Sequence, residues 1–112
     1  MITERPWGNY EILSTTETSQ VKRITVKPGQ RLSLQTHERR SEYWVIESGL
    51  GQVQIEKEIH EAKPTSAFII DEGMSHRVTN IGNEILVFIE IQLGTYFGED
   101  DIIRLEDDYG RN

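Results

Sequence analysis

The sequence predicts an all-β domain, a sandwich or a barrel built from short strands. Its segments are apolar or alternate with period two, they recur at near-regular spacing, and Gly- or Pro-containing turns fall between them. Strands, rather than helices, fill the chain.

Tyr10 to Leu13 opens the series as a short apolar segment. In Gln20 to Val26, Lys22 keeps step with Ile24 and Val26, which turns an ammonium toward the interior. A buried lysine is costly without a partner, so this placement points to a functional role. After the turn at Pro28-Gly29, Arg31 to Gln35 puts Arg31, Ser33, Gln35 and His37 on one face and Leu32 and Leu34 on the other. Glu42 to Glu47 places Glu42 in a row with Trp44 and Ile46 and leaves Tyr43 and Val45 outward.

Gly49-Leu50-Gly51 separates that strand from Gly51 to Ile55, and Asp71-Glu72-Gly73 ends Ala67 to Ile70. Arg77 to Thr79 continues from His76, which shares a face with Val78 and Asn80. Ile85 to Gln92 follows Gly82-Asn83 and is apolar in both rows, so period alone leaves Glu90 and Gln92 free to face inward or outward. The last residues are acidic, with Glu99-Asp100-Asp101 and Glu106-Asp107-Asp108, but Ile102, Ile103, Leu105 and Tyr109 can anchor them as an ordered tail or short helix.

Composition narrows the function classes. With 112 residues the chain has the size of one domain, residues 1–112, with one core. It has no cysteine, which excludes disulfides and thiolate metal sites and leaves N and O ligands. A net charge of -7 argues against a nucleic-acid surface. Neither a secretory signal nor an apolar run long enough for a membrane helix is present, so a soluble, cytoplasmic protein is expected.

Two spaced patterns carry chemistry. Gly29-x5-Gln35-x-His37-x4-Glu42-x6-Gly49 and Gly73-x2-His76-x3-Asn80 gather an amide, two imidazoles and a carboxylate onto neighbouring strands. That mixed shell suits a catalytic first-row divalent metal, and the bland alternative is a metal-free structural polar cluster.

These patterns resemble the two motifs of the cupin superfamily, which implies a cupin jelly-roll β-barrel (double-stranded β-helix). Three positions depart from the usual motifs. Gln35 replaces the first histidine of His-x-His, Asp71 the proline of Pro-x-Gly, and Thr65 the glycine that opens the second motif. Gln-x-His is similar to the phosphomannose isomerase branch. Arg5-Pro6-Trp7-Gly8-Asn9-Tyr10-Glu11, Val21-Lys22-Arg23 and the stretch from Gly94 to Arg111 resemble the type II mannose-6-phosphate isomerase domain of bifunctional guanylyltransferase/isomerases along nearly the whole chain.

The resemblance implies metal ligands Gln35, His37, Glu42 and His76 around one divalent ion, zinc first, with Mn, Fe, Co and Ni compatible. It implies isomerisation of mannose 6-phosphate and fructose 6-phosphate through an enediol. In that family the domain commonly follows a guanylyltransferase domain, and the Gly-rich nucleotide-binding stretch is missing here, so guanylyltransferase activity is expected to be absent. The 6-phosphate needs cations, for which Arg104, Arg111, Arg31 and Lys22 are candidates, Arg104 and Lys22 foremost. A general base working near neutral pH needs a lysine lowered or a carboxylate raised by burial, which nominates Lys22 and Glu90. The alternatives are a non-catalytic sugar-phosphate or sugar-nucleotide-binding domain and another metal-dependent reaction on the same scaffold.

Other residues receive bland readings. His60 reads as a surface histidine, Arg39-Arg40 as a solvated turn and Arg77 as a surface residue facing away from His76. Trp7, Tyr96 and Phe97 read as packing, whereas Trp44 beside Glu42 could belong to the site. Outward Tyr43 and Val45, with one row of the Ile85 to Gln92 strand, leave more apolar surface than a small barrel covers, so a homodimer is expected.

Overall fold

In the computed structural model, which describes residues Met1 to Arg111, the chain forms eleven strands and one short 3-10 turn. The strands are β1 (Ile2–Arg5), β2 (Gly8–Thr15), β3 (Ser19–Val26), β4 (Leu34–Thr36), β5 (Arg40–Ser48), β6 (Gly51–Ile55), β7 (Glu58–Ala62), β8 (Ala67–Ile70), β9 (His76–Asn80), β10 (Leu86–Gly94) and β11 (Ile103–Glu106), with the turn at Glu99–Asp101 before β11. They build two antiparallel sheets, a six-stranded one ordered β1-β2-β3-β10-β5-β8 and a five-stranded one ordered β11-β4-β9-β6-β7. Facing each other, these sheets form the predicted all-β jelly roll. No helix among the described residues is long and apolar enough to cross a membrane.

Three central strands of the larger sheet decide what the interior contains. Gln20, Lys22, Ile24 and Val26 of β3, Arg40, Glu42, Trp44 and Ile46 of β5, and Leu86, Phe88, Glu90 and Gln92 of β10 are all buried. Antiparallel register sets Glu90 opposite both Lys22 and Trp44, and Phe88 opposite both Ile24 and Ile46. Like residues therefore line up across strands, giving an apolar end around Phe88 and a polar end around Glu90. Val53 of β6 and Val78 of β9 add to the core from the other sheet. Each such fully buried side chain stabilises the fold by about 1.5–3 kcal/mol relative to exposure.

Several expectations change. The strand anticipated over Arg31 to Gln35 reduces to Leu34–Thr36 with an isolated bridge between Arg31 and Thr79. Arg77 Nε donates to the Leu32 carbonyl at 2.9 Å, which takes that group out of the regular ladder. Strands β1, β7 and β11 were not anticipated, and the acidic tail contains both a 3-10 turn and a strand. Arg77 itself is buried, because Glu106 covers it with a 3.1 Å ion pair on the outer face of the smaller sheet.

The altered motif positions remain turn positions. Lys63-Pro64-Thr65-Ser66 closes with Ser66 N–H donating to Lys63 O at 2.9 Å, and Thr65 has φ 76°. A left-handed residue after proline is the place where a turn of this kind favours glycine. Gly73 has φ 81° in the next turn, and its N–H donates to His37 O at 2.8 Å, tying the second motif to the first.

Candidate metal centre

His37, Glu42 and His76 meet at the polar end of the barrel, each at most 2% exposed. Glu42 is brought inward by the alternation of β5, and His76 opens β9 directly opposite Gln35 of β4. His37 lies just past the end of β4. Glu42 Oε2 is 3.2 Å from His37 Nε2, and Glu42 Oε1 is 3.5 Å from His76 Nε2. One donor atom from each of the three lies within 4.8 Å of the others, so they could hold a metal ion.

Hydrogen bonds on the far side of each ring fix how the nitrogens are presented. His76 Nδ1 is 3.0 Å from Met74 O and His37 Nδ1 is 3.4 Å from Asp101 O. A carbonyl only accepts, so each Nδ1 carries the hydrogen and each Nε2 presents a lone pair to Glu42. Burial pushes both imidazoles down, His37 to about 3 with further contributions from Arg40 and His76, so both are neutral and able to ligate near pH 7. His76 Nε2 is buried with no hydrogen-bond partner among the described residues. Two lone pairs and a carboxylate converge where a cation would satisfy all three, and the donor set suits a first-row divalent ion.

Gln35 stands beside this group. Its Oε1 accepts from Ser33 Oγ at 2.8 Å and its Nε2 lies 3.5 Å from His37 Nε2. A half-turn of the amide exchanges O and N at no steric cost, bringing the oxygen to the ring side while the NH2 group donates to Ser33.

An adjoining cavity has about 470 Å³ of unfilled space, its open mouth included, and Lys22, Gln35, Arg40, Glu90, Glu99 and Arg104 are among its lining. Glu90 faces inward, which answers the question the double apolar row left open, and it accepts from Gln92 Nε2 at 3.3 Å. Burial, with Glu42 adding to it, pushes the Glu90 carboxyl up to about 8. Lys22 is buried as expected, its Nζ 4.3 Å above the Tyr10 ring and 4.0 Å from Glu99 Oε2. Burial alone would raise Glu99, but Lys22, Arg40 and Arg5 together hold it below its ordinary value. Arg104 pairs with Gln35 across the β11 to β4 register, and its Nε is buried without a partner among the described residues.

Of the four candidate phosphate cations, Lys22, Arg104 and Arg111 line this cavity. Arg31 is absent from its lining and makes a two-pronged pair with Asp108 at 2.7 and 2.8 Å, because the irregular backbone after Arg31 breaks the row it was expected to share with Gln35. Arg40 is the larger correction. It is buried rather than solvated in a turn, with Nε donating to Glu42 Oε2 at 2.9 Å and NH2 lying 3.3 Å from His37 Nε2. Period two backward from Ile46 through Trp44 and Glu42 reaches Arg40, a signal that reading Arg39-Arg40 as a turn obscured. Trp44 both packs on Phe88 and donates from Nε1 to Glu42 Oε1 at 3.1 Å. His60 is partly exposed beside Glu58, away from the centre.

The C-terminal segment also supports the centre. Asp101 holds the loop after His37 with its carboxylate, accepting from Glu38 N and Arg39 N at 3.2 and 3.0 Å, while its carbonyl meets the ring.

The chain is similar to known proteins over nearly its whole length. The family model for the mannose-6-phosphate isomerase C-terminal domain matches residues 2–107. The chain is 47% identical over 107 residues to xanthan biosynthesis protein XanB of Xanthomonas campestris pv. campestris, covering 96% of this chain and 23% of that protein. It is 44% identical over 108 residues to the mannose-1-phosphate guanylyltransferase of Salmonella montevideo, again over 96% of this chain and 23% of the relative. The chain thus spans less than a quarter of these relatives' length. A protein with a double-stranded β-helix domain from Klebsiella pneumoniae shares the fold, with a TM-score of 0.75, 21% identity, and coverage of 86% of this chain and 82% of that one. A cupin barrel whose sequence follows one family model from its first strand to its last belongs to that family, and this chain is a member of the mannose-6-phosphate isomerase C-terminal domain family.

Proposed function

We propose that this domain is a metal-dependent isomerase that interconverts mannose 6-phosphate and fructose 6-phosphate, with Gln35, His37, Glu42 and His76 holding one divalent ion, zinc foremost. The observation that carries this reading is the convergence of two Nε2 lone pairs and the Glu42 carboxylate beside a cavity lined by cations. A bound divalent ion would polarise the C1 and C2 oxygens of the open-chain sugar and stabilise the enediolate charge.

To Glu90, which lines the cavity, we assign the movement of the proton. Its carboxyl, raised to about 8, has a proton affinity suited to exchange near neutral pH. As carboxylate it takes the proton from C2 and returns it to C1, while the hydroxyl proton passes from O2 to O1, so atoms and charge balance. Arg104 contributes an unsatisfied guanidinium N–H to the 6-phosphate, and Lys22 adds a second cation on the opposite sheet. Arg111 is turned to Asp107 at 2.9 Å and is a weaker phosphate partner.

The test is turnover of mannose 6-phosphate by chelator-stripped protein reloaded separately with Zn, Mn, Co or Ni. Metal-dependent formation of fructose 6-phosphate is expected. Metal binding without turnover for any ion would instead leave a sugar-phosphate-binding domain.

We also propose a homodimer through the outer face of the six-stranded sheet, where Tyr43, Val45 and Ile69 are 39%, 43% and 56% exposed. The Arg23–Glu47 pair at 2.6 Å borders them, and a two-fold axis would bring each charge near its opposite on the second copy. Sedimentation should give twice the chain mass, and a wholly monomeric chain at high micromolar concentration would end this reading.

A further inference from the structure

We propose that Arg40 is the resident cation of the metal centre: it holds Glu42 and His37 until a divalent ion binds, then yields both and swings into the adjoining cavity. This rests on the metal-site reading above and adds a mechanical step to it.

The shared atoms carry the inference. Arg40 Nε donates to Glu42 Oε2 at 2.9 Å, and Arg40 NH2 lies 3.3 Å from His37 Nε2. With its Nδ1 hydrogen given to Asp101 O, His37 has one lone pair left, so that nitrogen serves either the guanidinium or a metal and never both. Arginine does not shed its proton in proteins, so the conflict can be relieved only by movement.

Burial explains why a cation should stand there at all. Glu42 is 1% exposed and Arg40 is 3% exposed, and an ionised carboxylate so deeply enclosed is costly without compensation. His37 and His76 each give the Nδ1 hydrogen to a backbone carbonyl and turn a lone pair inward, so neither offers Glu42 a donor. Arg40 therefore takes the electrostatic place that a metal ion would fill.

The cavity offers somewhere to go. Arg40 lines it, and its NH1 is buried without a hydrogen-bond partner among the described residues, so the present position leaves the guanidinium incompletely satisfied. Glu90 and Glu99 line the same cavity and both feel the charge of Arg40. A displaced Arg40 finds carboxylates there, and once moved it adds a cation to the space a phosphorylated ligand would occupy.

Competition of this kind discounts metal affinity by the fraction of time the site is free of Arg40. Zn2+ affinity, measured by competition with a chromophoric chelator, should therefore be about tenfold tighter in Arg40→Gln and Arg40→Met, even though their metal-free forms melt earlier. Equal or weaker affinity in folded variants would overturn the proposal, because a purely scaffolding arginine loosens the centre when removed. The wild-type chain gives a second readout that needs no variant. In NMR spectra the Arg40 Nε–H should be protected from exchange without metal and lose that protection on Zn2+ titration. Should Zn2+ shift His37 and His76 and leave Arg40 unchanged, the exchange mechanism fails and the metal site stands; should it shift none of them, both fail.

Discussion

The two ends of the barrel interior are made by the same strands and the same alternation, yet they behave as different materials. Around Phe88, the register partners Ile24 and Ile46 give an apolar packing whose only demand is volume. Around Glu90, the partners Lys22 and Trp44 and the neighbouring Glu42, Arg40, His37 and His76 give a buried network in which every group needs a specific complement. Inward parity thus fixes where a side chain goes, and register fixes what it meets. The apolar end supplies the stability on which the polar end depends.

A pair of crossed substitutions would break this division most sharply. His76→Ala should weaken divalent-metal binding by more than about 100-fold and abolish turnover, with the β-sheet circular dichroism retained, since it removes a ligand while cutting little apolar contact. Phe88→Ala should cost about 3–5 kcal/mol in urea unfolding and leave the metal affinity of the folded fraction near wild type. If His76→Ala instead unfolds the chain, or Phe88→Ala loses metal in proportion to stability, the two ends are one unit.

Around neutral pH the dependence should come from the polar end, whereas in acid Asp107 and Asp108, held below the usual carboxylate range by hydrogen bonds from Arg111 and Arg31, add to it. Glu90 has its carboxyl raised from 4.5 to about 8, so the folded chain keeps a proton that the unfolded chain releases. Its contribution to stability is full below about pH 4.5 and is lost as pH rises through about 8. His37 works in the other direction. With its folded value near 3 against 6.5, its neutral form favours folding above about 6.5, and that advantage is lost as pH falls toward 3. Metal-free Glu90→Gln should lose less stability than wild type between pH 5 and pH 9, and identical slopes in denaturant titrations would remove Glu90 as the source.

The smallest effect lies outside both ends. Thr65 holds φ 76° with a β-branched side chain, and Thr65→Gly should raise stability by about 1 kcal/mol without touching metal affinity. A lower melting temperature would show that the threonine side chain makes a compensating contact.

Much of the polar end was legible in the sequence because its signals are local. The spacing of Gln35, His37, Glu42 and His76 falls into two short motifs and the parity of Lys22 with Ile24 and Val26 lies within one strand, although β5 brings Glu42 from the sheet facing β4 and β9 and not from a neighbouring strand as expected. What escaped was set by distance along the chain or by a misplaced boundary. Glu90 had two apolar rows to choose between, and only pairing with β3 and β5 decides. Arg77 does point away from the interior, as parity required, but the C-terminal segment covers it, which no local pattern announces. Arg40 was lost to a turn reading although it is the first residue of β5.

The two histidines differ in what keeps them aligned. His76 leans on Met74, two residues before it in the same connection, whereas His37 leans on Asp101, 64 residues away. Free energies of local opening vary across a fold, and the one-turn 3-10 segment Glu99–Asp101 that holds the ring, with the short terminal strand β11 after it, belongs with the elements that open most readily. Fraying there would release the His37 ring and leave His76 in place, so ion capture and ion loss would run through a half-assembled centre with the second motif keeping its grip. Exchange rates at Glu38 and Arg39 amides, which Asp101 accepts from, would then track the rate at which the ion escapes.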